Sequence, residues 1–139
     1  MNTSFSGKKL LVSGGTSGMG FETAKRVLKN GGSVVLVGNR QEKAEQARMA
    51  LASEGQIDLI VADLMTDKGV KYVTDTLNAH HRDISLLVNA AGVFFPKQFI
   101  EHEPSDYDMY MSLNRATFFI TRDVVSAGIK VSIVNIGSM

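Results

Sequence analysis

The sequence has no cysteine in 139 residues. Disulfides and thiolate metal sites are therefore excluded. It has no surplus of charge of either sign, with fifteen Lys and Arg facing fourteen Asp and Glu. This balance gives no electrostatic reason to expect nucleic acid or an anionic membrane surface as a partner. No apolar run is long enough to span a bilayer. The N-terminus, Met1-Asn2-Thr3-Ser4, lacks the basic region and apolar stretch of a secretory signal. A soluble, cytoplasmic protein is the expectation. Histidine is scarce: His80, His81 and His102 lie in polar stretches with no carboxylates at ligand spacing, so no metal site is expected. Repeats, linkers and low-complexity tracts are absent too, and residues 1–139 are read as one domain.

What is present alternates. With 44% apolar and 21% charged residues the chain can bury a core. Five short β-branched or leucine-rich runs stand out, at 9–12, 34–37, 57–61, 84–88 and 131–136. Four helical patterns separate them. The first has Phe21, Ala24, Val27 and Leu28 on one face; the second, over about 41–52, has Ala44, Ala47 and Leu51. The third has Val70, Val73 and Leu77, and the fourth has Tyr107, Met111, Asn114, Phe118 and Val125. Asn30-Gly31-Gly32 and Glu54-Gly55 signal helix ends. Alternation of this kind predicts βαβ units, and continuous apolar strands fit a parallel sheet covered on both faces. The expected fold class is α/β, a doubly wound parallel sheet in the order 3-2-1-4-5.

Between the first strand and first helix lies Ser13-Gly14-Gly15-Thr16-Ser17-Gly18-Met19-Gly20. Glycines permit tight, positive-φ turns and close approach of a ligand to the main chain. The following helix aims its unpaired N–H groups and positive dipole end at the turn, where a pyrophosphate can sit. The spacing Gly14, Gly18, Gly20 is G-x-x-x-G-x-G, not the common G-x-G-x-x-G. A plain packing turn is the competing reading.

This spacing resembles the first turn of the short-chain dehydrogenase/reductase family, usually T-G-x-x-x-G-x-G, with Ser13 in place of the threonine. Three more stretches extend the resemblance over essentially the whole chain. Val61-Ala62-Asp63-Leu64 places an Asp where the family contacts adenine; on its own Asp63 reads as a helix or turn cap. Val88-Asn89-Ala90-Ala91-Gly92 is similar to the N-N-A-G motif, with Ala90 replacing the second Asn; there the family supports the sheet centre and meets the nicotinamide ribose. An Asn closing an apolar strand also needs hydrogen-bond partners. Asn114 matches an active-site Asn of the fourth helix, and its place on the Met111–Phe118 stripe makes a satisfied core Asn the alternative. Ile133-Val134-Asn135-Ile136-Gly137-Ser138 is similar to I-V-N-I-S-S, which puts Ser138 in the catalytic slot. The resemblance implies an NAD(P)-binding Rossmann fold, truncated after the fifth strand. It further implies alcohol/carbonyl interconversion by hydride transfer, with the cofactor held by Gly14, Thr16, Ser17, Gly18, Met19, Gly20, Asn39, Arg40, Asp63, Leu64, Asn89, Ala90, Ala91 and Gly92.

The family follows its serine with Y-x-x-x-K, the acid/base Tyr and its partner Lys; this sequence stops at Met139 and contains no such motif. Hydride transfer needs a positioned proton donor or acceptor, so the expectation is a chain inactive alone. A non-catalytic nucleotide-binding module and one half of a split enzyme are the alternatives. Gly38 occupies the slot where NAD-dependent members carry an acid, and Arg40 follows. NADP is therefore expected, with NAD possible; a solvated helix-start residue is the bland reading of Arg40. Val93-Phe94-Phe95-Pro96-Lys97 borders the substrate in the family, and its aromatics either meet an apolar carbonyl substrate or pack beneath the loop. The implied partners are a small carbonyl or alcohol and further copies of the chain.

Overall fold

The first apolar run forms strand β1 (Lys9–Ser13), and the glycine turn leads into helix α1 (Gly18–Lys29). There follow β2 (Ser33–Gly38), α2 (Gln41–Leu51), β3 (Ile57–Val61), α3 (Asp67–His80) and β4 (Leu86–Asn89). A short 3₁₀ turn, Phe99–Glu101, precedes α4 (Pro104–Ser126), and β5 (Ser132–Asn135) follows it. These elements come from a computed structural model that describes residues 4–92 and 96–136. The strands pair in parallel in the expected order, β3-β2-β1-β4-β5.

Side chains alternate across the sheet, so consecutive residues of one strand feed two cores. Leu11, Val35, Val37, Ile60 and Leu87 meet Val73 and Leu77 of α3 and Ala116, Ile120 and Val124 of α4. Leu10, Val12, Val34, Leu36 and Val88 meet Ala24, Val27 and Leu28 of α1 and Ala47 and Leu51 of α2. The near-continuous apolar runs of β1 and β2 are thus explained by burial on both faces.

The clearest departures from the sequence expectation concern α2, β4 and α4. Helix α2 stops at Leu51, before Glu54-Gly55, because three-residue turns replace the α ladder: Ala52 N–H donates to Met49 and Glu54 N–H to Leu51. Strand β4 begins at Leu86; Ile84 is buried but sits in the turn closed by its N–H to His81. The largest correction concerns α4. The expected face of Tyr107, Met111, Asn114, Phe118 and Val125 is exposed, with Phe118 at 65%. The sheet is met instead by Ala116, Ile120 and Val124. The helix carries two apolar faces, and the smaller side chains permit the closer approach to β4 and α3. Arg115 and Arg122 lie against the Phe119 ring, 4.8 and 4.7 Å from its centroid. Among the described residues strand β5 pairs only with β4, and its Val134 is 57% exposed. Among the described residues no helix is long and apolar enough to cross a membrane.

His81 departs from its polar sequence neighbourhood. It caps the C-terminus of α3 through its N–H to Leu77, is buried, and leaves Nδ1 without a partner among the described residues. Burial, and then the charge of Lys9, hold its pKa below the ordinary histidine value; Asp58 and Asp83 pull the other way, and His80 adds slightly to the depression. The unfolded chain therefore binds the proton first as pH falls, and stability declines from about pH 6.5 down towards the lowered folded value. We expect the melting temperature to fall between about pH 7.5 and about pH 5.5, and to fall less in His81→Gln. Thermal melts at the two pH values check this; an equal decline in both proteins removes His81 as the cause.

Candidate functional site

The parallel register brings the functional candidates to one edge of the sheet. Ser13 at the end of β1 is paired with Val37 of β2 and with Asn89 of β4; Asn89 is paired with Asn135 of β5, and Gly38 with Val61. Strand β1 leads to β2 on one side, whereas β4 leads to β5 on the other. The order reverses between β1 and β4, and open α/β sheets bind ligands in the crevice at such a point.

Here the glycine turn meets the end of β4. Gly14 and Gly15 N–H groups both donate to the Val37 carbonyl, at 3.0 and 3.3 Å. Gly14 has φ +73°, and a Cβ there would lie 2.7 Å from the Ala91 nitrogen. A Cβ on Gly20 would collide with the Gly14 carbonyl oxygen. These two glycines are packing requirements. Gly18 is different: its φ is +60° and its Cβ direction is open space. Ser17, Gly18 and Met19 are exposed, and Thr16 packs its methyl where a Gly38 side chain would project.

The N-terminus of the helix behind the turn carries no side-chain cap from its N-cap residue, Ser17, and no acid in its first turn. By contrast Thr66 accepts from Gly69 N–H at α3, a Glu103–Asp106 capping box closes α4, and Glu42 stands in the first turn of α2. The α1 N–H groups and positive end therefore remain available to a diphosphate.

At the ends of β2 and β3, Asn39 and Arg40 are exposed, and Arg40 N-caps α2 with its backbone. Arg40 makes no ion pair among the described residues. The turn reading of Asp63 is realised, since its Oδ1 accepts from Met65 N–H at 3.0 Å. Its carbonyl accepts from the Thr66 hydroxyl, and Gly69 lets α3 approach that carbonyl. Leu64 is buried in the core, which leaves its backbone as the part available to a ligand.

Asn89 is 2% exposed. Its Nδ2 donates to Thr121 Oγ1 at 3.1 Å and to Asn135 Oδ1 at 2.8 Å. The acceptors for its nitrogen are thus supplied by α4 and β5, while its buried Oδ1 has no partner among the described residues. Neither pairing was legible locally, although Thr121 stands seven residues after Asn114, two turns along one helix face. Ala90 and Ala91 are half-buried and Gly92 is exposed. Asn114 is exposed rather than buried on an apolar face. Beyond Gly92, Lys97 pairs with the buried Asp106 at 2.7 Å and ties the loop to the start of α4. The Glu103 N–H, and then Lys97, hold the Asp106 carboxyl below the usual range. Ser138, Phe94 and Phe95 lie outside the described residues.

A profile of the family described as "short chain dehydrogenase" matches residues 8–139. Among curated proteins, the chain is 29% identical to sulfoacetaldehyde reductase 2 of Chromohalobacter salexigens, over 94% of this chain and 54% of that protein. It is 26% identical to the NADP-dependent (R)-specific alcohol dehydrogenase of Lentilactobacillus kefiri, over 100% of this chain and 57% of that one. Among solved structures, L-sorbose reductase of Gluconobacter frateurii, complexed with NADPH and L-sorbose, superposes with a TM-score of 0.80 at 25% identity, over 91% of this chain and 49% of that one. The chain thus spans about half the length of the relatives it matches.

Gly14 and Gly18 should separate by experiment. Gly14→Ala forces a side chain into the Ala91 backbone at positive φ and should cost more than about 1 kcal/mol in urea unfolding. Gly18→Val should keep the far-ultraviolet circular dichroism of the α/β fold and lose dinucleotide binding in a fluorescence titration. Undiminished binding by Gly18→Val counts against the phosphate-cradle role of the turn.

Proposed function

The chain belongs to the short chain dehydrogenase family, and on that premise we propose that it binds NADP(H) and serves the interconversion of alcohols and carbonyl compounds. The observation that carries this reading is the uncapped, acid-free N-terminus of α1, placed behind a glycine turn in the crevice where the strand order reverses. Gly14, Thr16, Ser17, Gly18, Met19 and Gly20 take the pyrophosphate. Asp63, with its second carboxylate oxygen, and the Leu64 backbone take the adenine. Asn89, Ala90, Ala91 and Gly92 face the nicotinamide half. When bound, the nicotinamide supplies or accepts the hydride. The exposed Asn39 and Arg40, with Gly38 in place of an acid, favour the 2′-phosphate of NADP over NAD. The NADP dependence named for the Lentilactobacillus relative and the NADPH held by L-sorbose reductase support this choice.

In this reading Ser138 hydrogen-bonds the substrate oxygen, and Asn114 holds a water in the proton path. Ser138 is a poor acid at neutral pH, and the 139 residues contain no Tyr-x-x-x-Lys. The chain by itself therefore binds cofactor without turning over substrate. The reading gives it a small carbonyl or alcohol substrate, a cytoplasmic place, and no nucleic-acid or membrane partner. Further copies of the chain are proposed as partners, because Phe118, Val125 and Val134 are exposed and β5 offers an open edge.

Arg40→Ala should weaken NADP binding by about 1.5–3 kcal/mol, the range for a hydrogen bond to a charged group, and leave NAD nearly unchanged. Titration calorimetry with both cofactors decides; equal losses for the two place Arg40 away from the 2′-phosphate. Sedimentation of the purified chain should show association, reduced in Val134→Lys, since a charge on an edge strand opposes pairing. A single monomeric species before the substitution contradicts it.

A further inference from the structure

We propose that Thr121, which the sequence did not single out, is the positioning residue of the crevice's β4 side. The proposal rests on the reading that this side takes the nicotinamide half of the cofactor. Thr121 is on α4, and its Oγ1 accepts one of the two Nδ2 hydrogens of Asn89; Asn135 accepts the other. The Asn89 amide has its donors used, while its Oδ1 is buried without a partner among the described residues. The side chain is thus held only through its nitrogen, and Thr121 is the half of that hold that comes from a helix. Asn89 is followed directly by Ala90 and Ala91, whose backbone lies against Gly14 closely enough to exclude a Cβ there. Ala90 N–H also donates to the Ser13 carbonyl at 3.0 Å. The path from α4 to the phosphate turn is therefore continuous: Thr121, Asn89, Ala90 and Ala91, Gly14.

Thr121 also sets a direction. At about 100° per residue, a seven-residue step returns within about 20° of the same face, so Asn114 lies almost in line with Thr121 and about 10 Å towards the helix N-terminus. Thr121 meets Asn89 at the last residue of β4, whose C-terminal end faces the crevice. Anchoring Thr121 there fixes the rotation of α4, and with it the face on which Asn114 projects. A helix held to the sheet only by Ala116, Ile120 and Val124 has apolar contacts that are not directional; the hydrogen bond is.

The test uses the 139-residue chain and two probes. NADPH spans the whole crevice; 2′,5′-ADP carries only the adenosine half. Thr121→Val keeps the shape and removes the acceptor, Thr121→Ala removes it without adding a methyl group, and Thr121→Ser restores it. We expect the Val and Ala variants to bind NADPH roughly three- to ten-fold more weakly, the loss of one hydrogen bond, with 2′,5′-ADP affinity unchanged. Thr121→Ser should return NADPH affinity to within about two-fold of the starting chain. A general loss of packing lowers both affinities together and leaves their ratio alone. An unchanged ratio in whichever of the Val and Ala variants folds overturns the assignment of Thr121, while dinucleotide binding stands. Failure of the unsubstituted chain to bind either probe, or NADH, overturns the dinucleotide reading, and this inference with it.

Discussion

The contact between the Gly14 backbone and the Ala90–Ala91 backbone is the constraint on which the rest of the site depends. The two segments end adjacent parallel strands, and the chain leaves them in opposite directions. A crevice opens at such a divergence. Its floor stays narrow only because Gly14 has no side chain and adopts a positive φ. Gly20 repeats the device one step on, allowing the first turn of α1 to settle on the Gly14 carbonyl. The helix N-terminus thereby arrives at the crevice with its N–H groups unclaimed.

The two cores hold that edge rigid for different reasons. The α1–α2 side packs small and branched side chains against alternate residues of β1 and β2, which lead into the glycine turn. On the α3–α4 side, apolar packing is supplemented by hydrogen bonds placed at the strand ends: Asn89 with Thr121 and Asn135, and Asp63 with Met65 and Thr66. Apolar contact sets distance without direction, and hydrogen bonds add direction. The polar groups concentrate at the strand ends that border the crevice. The exposed ion pairs between Arg115 and Asp67 and between Lys71 and Asp75 lie on the outer surface, where solvent screens them.

Helix α4 joins these themes. Its inner face closes one core, its Thr121 reaches the end of β4, and its N-terminal turn is tied to the loop beyond Gly92 by Lys97 and Asp106. Phe118 and Val125 on its other stripe, like Val134 of β5, are exposed. That surface supports the proposed association.

The sequence by itself determined the alternation of strands and helices, the strand order, the face of α1 that packs inward, and the glycine turn. Each is local or governed by a general rule: apolar periodicity, right-handed crossovers, the backbone freedom of glycine. Tertiary structure alone decided which of two apolar faces of α4 meets the sheet, because periodicity reports a stripe and not what covers it. It decided that the Asn89 amide nitrogen donates to Thr121 and Asn135, 32 and 46 residues away. It divided the glycines into those excluded by neighbouring backbone and the one that faces open space, a distinction that depends on atoms distant in sequence. It also placed His81 under cover despite polar neighbours along the chain. Local pattern carries backbone conformation, whereas burial and hydrogen-bond partnership at this site arise where separate segments converge.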